Sequence, residues 1–304
     1  MQTPLMLVVF NRPDHVLKSF ERVRQTRPQR LFIASDGPRA DRQEERQAVM
    51  ASRAIAEQVD WPCRVTKIYS DTNLGCAKRV STAIDTAFDS VDRLCILEDD
   101  CVADSSFFRF VDCLMDRHED DDWVTTVTGN NHQDGLQRGS GDYYFSKYSH
   151  CWGWATWRRA WKHFDFPLKP WRTYVEQKAF CEMLSERLEY KYWLSTWEAI
   201  RRGKLNSWAI PWLFSQWSVG GLTATPNVNL VENIGFDDRA THTSDQQSAL
   251  RTAAGTLEQF RAPADVARCV EADRFVDAKM FSGTYRRPNP IKQFRQWYAA
   301  RSAA

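Results

Sequence analysis

Arg93-Leu-Cys-Ile-Leu-Glu98-Asp99-Asp100-Cys101 runs four apolar residues straight into three consecutive carboxylates. A continuous apolar run of this length reads as a strand buried on both faces of a parallel sheet. The acids then fall at its carboxyl end, the edge where open α/β sheets hold their ligands. Three adjacent carboxylates raise one another's pKa unless a cation sits among them. A tight cluster of hard oxygen donors suits Mg²⁺ or Mn²⁺, ions that also bind phosphate oxygens. The plainer alternative is a solvated strand end.

Upstream, the chain alternates apolar runs with helical patterns. Leu5-Met-Leu-Val-Val-Phe10 reads as a strand ending in Asn11-Arg12-Pro13-Asp14. Asp14 is placed to cap a helix with Val16, Phe20 and Val23 on one face. A strand at Leu31–Ala34 ends in Ser35-Asp36-Gly37-Pro38, and Asp41–Val59 reads as a charged surface helix. The next strand, Arg64–Tyr69, leads through Asn73-Leu-Gly75 into a helix over Cys76–Phe88. A helix over Ser105–Arg117 and a strand over Trp123–Thr128 follow the acids. This alternation predicts a right-handed, mostly parallel sheet flanked by helices. Asp36, Asn73-Leu-Gly75 and the acids then gather along one sheet edge, the outline of a nucleotide site. Neither GxGxxG nor GxxxxGK[ST] is present, which argues against dinucleotide-binding and P-loop proteins.

The 304 residues allow one large domain or two fused halves, and 43% apolar content supports a real core. With 41 basic and 39 acidic residues, the chain as a whole shows no preference for nucleic acid. Eight cysteines without metal-like spacing, and no leader before the first strand, predict reduced thiols and a cytoplasmic protein. No apolar run approaches the roughly 20 residues that a membrane span needs.

Ten of the thirteen tryptophans lie between Trp152 and Trp217. This asymmetry divides the chain into residues 1–130, an aromatic-rich stretch over 131–245, and an extension over 246–304. Trp152 and Trp154 flank Gly153 and are candidates for stacking on an acceptor sugar, although core packing explains most tryptophans, Trp157 and Trp161 among them. Tyr174–Arg202 reads as one long amphipathic helix stopped by Gly203. Residues 245–265 read as a loop or short surface helix. From Lys279 onward there is no acid, and Ile291, Phe294 and Trp297 share a helical face. That pattern suits either an interfacial helix on anionic lipid or a terminal helix docked on the body.

Asn11-Arg-Pro, Ser35-Asp36-Gly37, Asn73-Leu-Gly75 and Leu97-Glu98-Asp99-Asp100, in this order at successive strand ends, resemble the Rossmann-like GT-A fold. More narrowly, they resemble bacterial family-2-type and N-acetylglucosaminyltransferase-I-like nucleotide-sugar transferases, with the acids as a DXD-type motif. The resemblance covers residues 5 to 130, and continues less completely through Tyr143–Trp161 and Trp208–Thr243. It implies that Asp36 accepts from the base or ribose, although Asp-Gly is also ordinary turn chemistry. Arg12 and the segment from Asn73 through Gly75 to Arg79 would lie near the nucleotide and diphosphate. Asp100 would bind the metal directly, with Glu98 and Asp99 positioning metal-bound water or the donor sugar. His242 would return to the metal, and the aromatic segment with Trp152 and Trp154 would close over the donor. Relatives commonly place a catalytic acid in or beside the segment that here reads Asn206-Ser207-Trp208, where no residue can act as a base. Asp238, then Asp237, are the candidate bases, because they lie a few residues before His242.

The expected function is a metal-dependent glycosyltransferase that moves a sugar from a nucleoside-diphosphate donor to a glycan or lipid-linked acceptor in surface polysaccharide biosynthesis. Two alternatives stand beside it: a sugar-phosphate nucleotidyltransferase, and a non-catalytic nucleotide-sugar or glycan binder.

Overall fold

Leu5-Met-Leu-Val-Val9 forms β1, enclosed from both sides as a central parallel strand requires. Pro13 then opens α1 (Pro13–Thr26) in its first turn, where its missing N–H leaves no bond unmade. Arg12, not Asp14, holds the cap position; Asp14 lies inside the first turn, where its charge still favours the helix start. The structure, a computed structural model, describes residues 1–42, 44–176, 180, 183–184, 186–236 and 252–285.

Next come β2 (Arg30–Ser35), α2 (Glu45–Ala56), β3 (Arg64–Tyr69), α3 (Cys76–Phe88) and β4 (Arg93–Glu98). The three-residue β5 (Cys101–Ala103) follows the acids directly, then α4 (Ser105–Arg117), capped by the Asp104 side chain on the N–H of Ser106 at 2.9 Å. The strands β6 (Val124–Thr128), β7 (Tyr143–Ser146) and β8 (Trp154–Trp157) precede α5 (Arg158–Trp161). The remainder is α6 (Trp171–Glu176), α7 (Arg187–Arg201), α8 (Ala209–Ser218), β9 (Leu222–Pro226), β10 (Val231–Asn233), α9 (Val270–Met280) and α10 (Ser282–Tyr285).

The main sheet has eight strands in the order β3-β2-β1-β4-β8-β6-β9-β7. From β3 to β4 every pairing is parallel; β8 runs against both β4 and β6, β9 runs with β6, and β7 runs against β9. Only β8 and β7 therefore oppose the common direction, and the fold is α/β with a mostly parallel sheet flanked by helices. Because β8 inserts between β4 and β6, strands from either side of residue 130 alternate across the sheet. The short β5 pairs antiparallel with β10, Val102 opposite Glu232, in a separate ribbon.

Strand alternation sends successive side chains to opposite faces. Leu5, Leu7, Ile33 and Leu97 pack on one face beneath Val16, Phe20, Phe110 and Leu114 of α1 and α4. Met6, Phe32, Ala34 and Ile96 pack on the other, against Ala77, Val80 and Ile84 of α3 and Trp208 and Trp212. Trp157 and Trp161 are core residues of these two layers.

The helix expected over Tyr174–Arg202 is broken. α6 stops at Glu176 and α7 starts at Arg187, with Phe180 and Leu184 outside any helix. Both residues are drawn into a third cluster with Trp193, Trp197, Phe214 and Trp217, and their burial overrides the helical periodicity. Residues 252–269 contain no helix but are fastened to the body. The N–H of Gly255 donates to Asn229 O at 2.7 Å, that of Arg261 to Asp142 Oδ2 at 2.7 Å, and that of Cys269 to Phe145 O at 2.7 Å. Arg268 adds a parallel bridge to Phe145 on the sheet's last strand. Among the described residues no helix is long and apolar enough to cross a membrane.

Candidate active site

Four adjacent parallel strands, β1 to β4, end on the same side, and the loops that follow them surround a cavity of about 570 Å³. Arg12, Asp36, Asn73, Gly75, Arg79, Glu98 and Asp99 all line it. Cys76, within the Asn73-to-Arg79 segment, also lines it, as do Asn11, Arg39, Arg42 and Asn206, for which the sequence suggests no binding role. Arg39 is held there by Glu45 at the start of α2, and Asn11 Nδ2 donates to the same carboxylate at 3.2 Å.

Asp36 is nearly enclosed and already has four backbone contacts. Its Oδ1 accepts from the N–H of Gly37 (3.0 Å) and Leu74 (2.9 Å), and its Oδ2 accepts from Leu74 (3.0 Å) and Gly75 (2.9 Å). The carboxylate thus ties the β2 end to the start of α3, and both of its oxygens are engaged before any base or ribose arrives. Asn73 Nδ2 donates to Gly37 O at 2.8 Å and locks the same two loops together. Gly75 sits at φ 81° and ψ 152°, a region that essentially only glycine occupies. Arg79, one α3 turn further on, is only 6% exposed and its Nε has no partner. Burial pulls its pKa down, partly offset by the charge of Asp36.

The three acids are arranged differently from one another. Asp99 and Asp100 share one guanidinium: Arg12 Nη2 pairs with Asp99 Oδ1 and, at 2.9 Å, with Asp100 Oδ2. The cation that three neighbouring carboxylates call for is therefore supplied here by the chain itself. Phe10 N–H donates to Asp99 Oδ2 at 3.3 Å, and Cys101 Sγ lies 3.6 Å from Asp100 Oδ1. Glu98 is instead hydrogen-bonded by the Trp208 side chain. Burial first, and then the neighbouring acids, push Glu98 above the ordinary carboxylate range. Burial also raises Asp99, with Arg12 opposing and Asp100 reinforcing the shift. The backbone of Gly235 lies so close to this group that a Cβ there would collide with Asp100 Oδ2 and Arg12 Nη1.

Among the described residues no three His, Cys, Asp or Glu side chains converge as a ready-made metal cage. The donor chemistry nevertheless fits Mg²⁺ or Mn²⁺: hard carboxylate oxygens beside a cavity, with room for phosphate oxygens and water to complete the shell. Mg²⁺ is ordinarily held in this way, by one or two carboxylates plus substrate phosphates.

The two candidate acceptor tryptophans part company. Trp154 is 1% exposed in β8, stacked on Trp208 with ring centroids 5.0 Å apart, and has no face to offer an acceptor. Trp152 is only partly buried and meets Phe236 edge-on at 5.6 Å, next to Gly235 on the acid side of the cavity. Asp237, Asp238 and His242 lie outside the described residues, as does the basic tail from Arg286 onward.

Neither a protein-family model nor a curated protein sequence matches the chain. Solved structures with a similar chain path include a mannosyltransferase from Pyrobaculum calidifontis in complex with GDP-Man and Mn²⁺. It is 11% identical over 53% of this chain, with a TM-score of 0.35, and the match spans 46% of that protein, under half its length. The galactosyltransferase LgtC, in complex with donor and acceptor sugar analogues, is 12% identical over 90% of this chain and 94% of its own, with a TM-score of 0.38. UDP-glucose pyrophosphorylase complexed with UDP-glucose is 8% identical over 74% of this chain and 90% of its own, with a TM-score of 0.39. At these values the likeness is one of general layout and carries no information about ligand or chemistry.

Proposed function

We propose that the chain is a glycosyltransferase that binds a nucleoside-diphospho-sugar and a divalent cation in the cavity at the β1–β4 ends. It passes the sugar to a glycan or lipid-linked acceptor of surface polysaccharide biosynthesis. One observation carries this reading: Arg12, Asp36, Asn73, Gly75, Arg79, Glu98 and Asp99, from four different strand ends, line a single cavity of about 570 Å³. That volume is ordinary for a ligand of nucleotide-sugar size.

In this reading the base and ribose lie between the Asp36 loop and Asn73, with the free Nε of Arg79 available to their acceptor atoms. The diphosphate lies toward Arg12 and the acids. Asp100 would hold Mn²⁺ or Mg²⁺, with Asp99 and Glu98 beside it, and the ion would neutralise the diphosphate leaving group. Trp152, on the acid side, borders the acceptor. Asp238 or Asp237, directly after Gly235 and Phe236 in sequence, would remove the acceptor proton, and His242 would be a further ligand to the metal. The tail from Ile291 contacts anionic lipid peripherally, consistent with a lipid-linked acceptor at the inner membrane face.

Thermal melting with nucleoside diphosphates tests the central claim. UDP or GDP should raise the melting temperature far more with Mn²⁺ than with EDTA, and Asp100→Asn should remove that difference while leaving the free protein folded. An unchanged metal-dependent shift in the mutant rejects Asp100 as the ligand.

A second reading, a binder without transfer, has one observation in its favour. The acids lining the cavity are Asp36, Glu98 and Asp99, and each is engaged by backbone N–H groups, Trp208 or Arg12. Sugar release from UDP- and GDP-sugars to any acceptor rejects this second reading. Donor binding without turnover, in the wild type as in Asp237→Asn/Asp238→Asn, supports it.

A further inference from the structure

We propose that Arg12 makes cation binding conditional on the donor diphosphate. Its guanidinium closes Asp99 and Asp100 to a bare divalent ion, and releases them only when a diphosphate accepts the guanidinium in their place. This inference rests on the reading of the cavity as a nucleoside-diphosphate and metal site.

The geometry of the three side chains carries it. A single nitrogen, Arg12 Nη2, engages one oxygen of each aspartate. The remaining oxygens each have a contact of their own: Asp99 Oδ2 has the Phe10 N–H at 3.3 Å, and Asp100 Oδ1 has Cys101 Sγ at 3.6 Å. A divalent ion arriving alone must share these oxygens with a fixed positive charge a few ångströms away, in a site where the Asp99 and Asp100 side chains are 5% and 15% exposed. Repulsion between like charges is strong when so little water screens it. Gly235 blocks the guanidinium on one side, since even a Cβ there would collide with Arg12 Nη1. The cavity, which Arg12 lines, is the side left for it to move into.

A diphosphate reverses the balance. Its oxygens match the planar guanidinium fork and can take both N–H groups at once. Drawing Arg12 toward the cavity frees Asp99 Oδ1 and Asp100 Oδ2, and the same phosphates complete the ion's oxygen shell. Binding of the two ligands is then coupled, and by linkage the cation must tighten the diphosphate by the same factor. The expected coupling is on the order of 10-fold or more, within the usual range for linked sites.

Binding of Mn²⁺ to the full chain, followed by the electron paramagnetic resonance signal of the free ion, tests this. Wild type is titrated alone, with UDP and with GDP, and nucleotide-only controls are subtracted. Wild type should bind Mn²⁺ weakly alone and about 10-fold or more tightly with nucleotide. Arg12→Met, which keeps the apolar stem and removes the charge, should bind Mn²⁺ alone about 10-fold more tightly than wild type and gain little from nucleotide. If Arg12→Met does not fold, Arg12→Lys carries the test, because its ammonium lacks the fork and should lower the coupling factor. Wild-type coupling that survives unchanged in the folded variant overturns the role of Arg12 and leaves the metal reading intact. No Mn²⁺ binding by any variant, with or without nucleotide, overturns the metal reading and this inference with it.

Discussion

Asp36 Oδ2 accepts the backbone N–H of Gly75 at 2.9 Å, across a sequence separation of 39 residues. The same carboxylate takes the N–H groups of Gly37 and Leu74. Asp36→Ala leaves these donors without their acceptor, and unfolding in urea should show a loss of about 2–4 kcal/mol, the scale for several buried groups left unpaired. A variant of unchanged stability would mean that Asp36 is held for the ligand alone.

Gly75 carries a backbone conformation closed to residues with a side chain. Gly75→Ala should cost about 1–3 kcal/mol. The added methyl would also sit 3.4 Å from Asn206 Nδ2 and tighten that side of the cavity. Nucleotide affinity should therefore fall along with the urea midpoint, and a variant that loses neither refutes the assignment.

His132 and His150 meet edge to face, ring centroids 4.6 Å apart, in a buried pair. Burial holds His150 down to about 4, and burial together with His150 and Lys279 lowers His132 as well. Both therefore take up protons more readily in the unfolded chain, whose histidines titrate near 6.5. Stability from this pair is complete above about pH 6.5 and is lost as pH falls toward 4, at up to about 1.4 kcal/mol per pH unit for each group. Urea midpoints at pH 7 and pH 5 should differ more for wild type than for His150→Phe. Equal differences would show that the pair does not titrate in this window.

Lys147 and Glu189 form an ion pair with both side chains almost wholly enclosed, and Tyr148 Oη donates to the same Glu189 oxygen at 2.6 Å. Removing one partner strands the other charge, so Glu189→Ala should cost about 3–5 kcal/mol. Lys147→Met combined with Glu189→Leu removes both charges and should cost clearly less than the single change. A double mutant worse than the single would show that the pair is a net source of stability.

Where a structural choice depends on neighbours along the chain, it is legible in the residues. Cys76–Phe88 and Ser105–Arg117 form helices at the limits their apolar spacing predicts, and the apolar run before Glu98 ends its strand at the acids. Choices made by distant partners are not legible in this way. β5 is three residues long and exists because Val231–Asn233 pairs with it. Nothing local in Phe180 or Leu184 announces that the tryptophan cluster will break the helix. The cavity divides in the same manner. Arg12, Asp36 and Glu98 stand out as polar residues at strand ends, whereas Arg39 depends on Glu45 to reach the cavity. Asn206 arrives from the far half of the chain without a distinguishing mark of its own. Trp152 and Trp154 look equivalent in sequence, yet only Trp154 enters a strand whose side chain the core then covers.

The fastening of residues 252–269 has a consequence for how the protein can be shortened. Tyr143–Ser146 is the outermost strand of the sheet, and its outer side is met by Arg268, by the N–H of Cys269 and by Asp273 through Ser146. A fragment ending before residue 252 would retain all ten strands found among the described residues and the cavity-lining residues, yet would present an apolar, unpaired strand margin to solvent. Such margins recruit further strands. The fragment should therefore self-associate edge to edge, which makes the C-terminal segment a shield against aggregation.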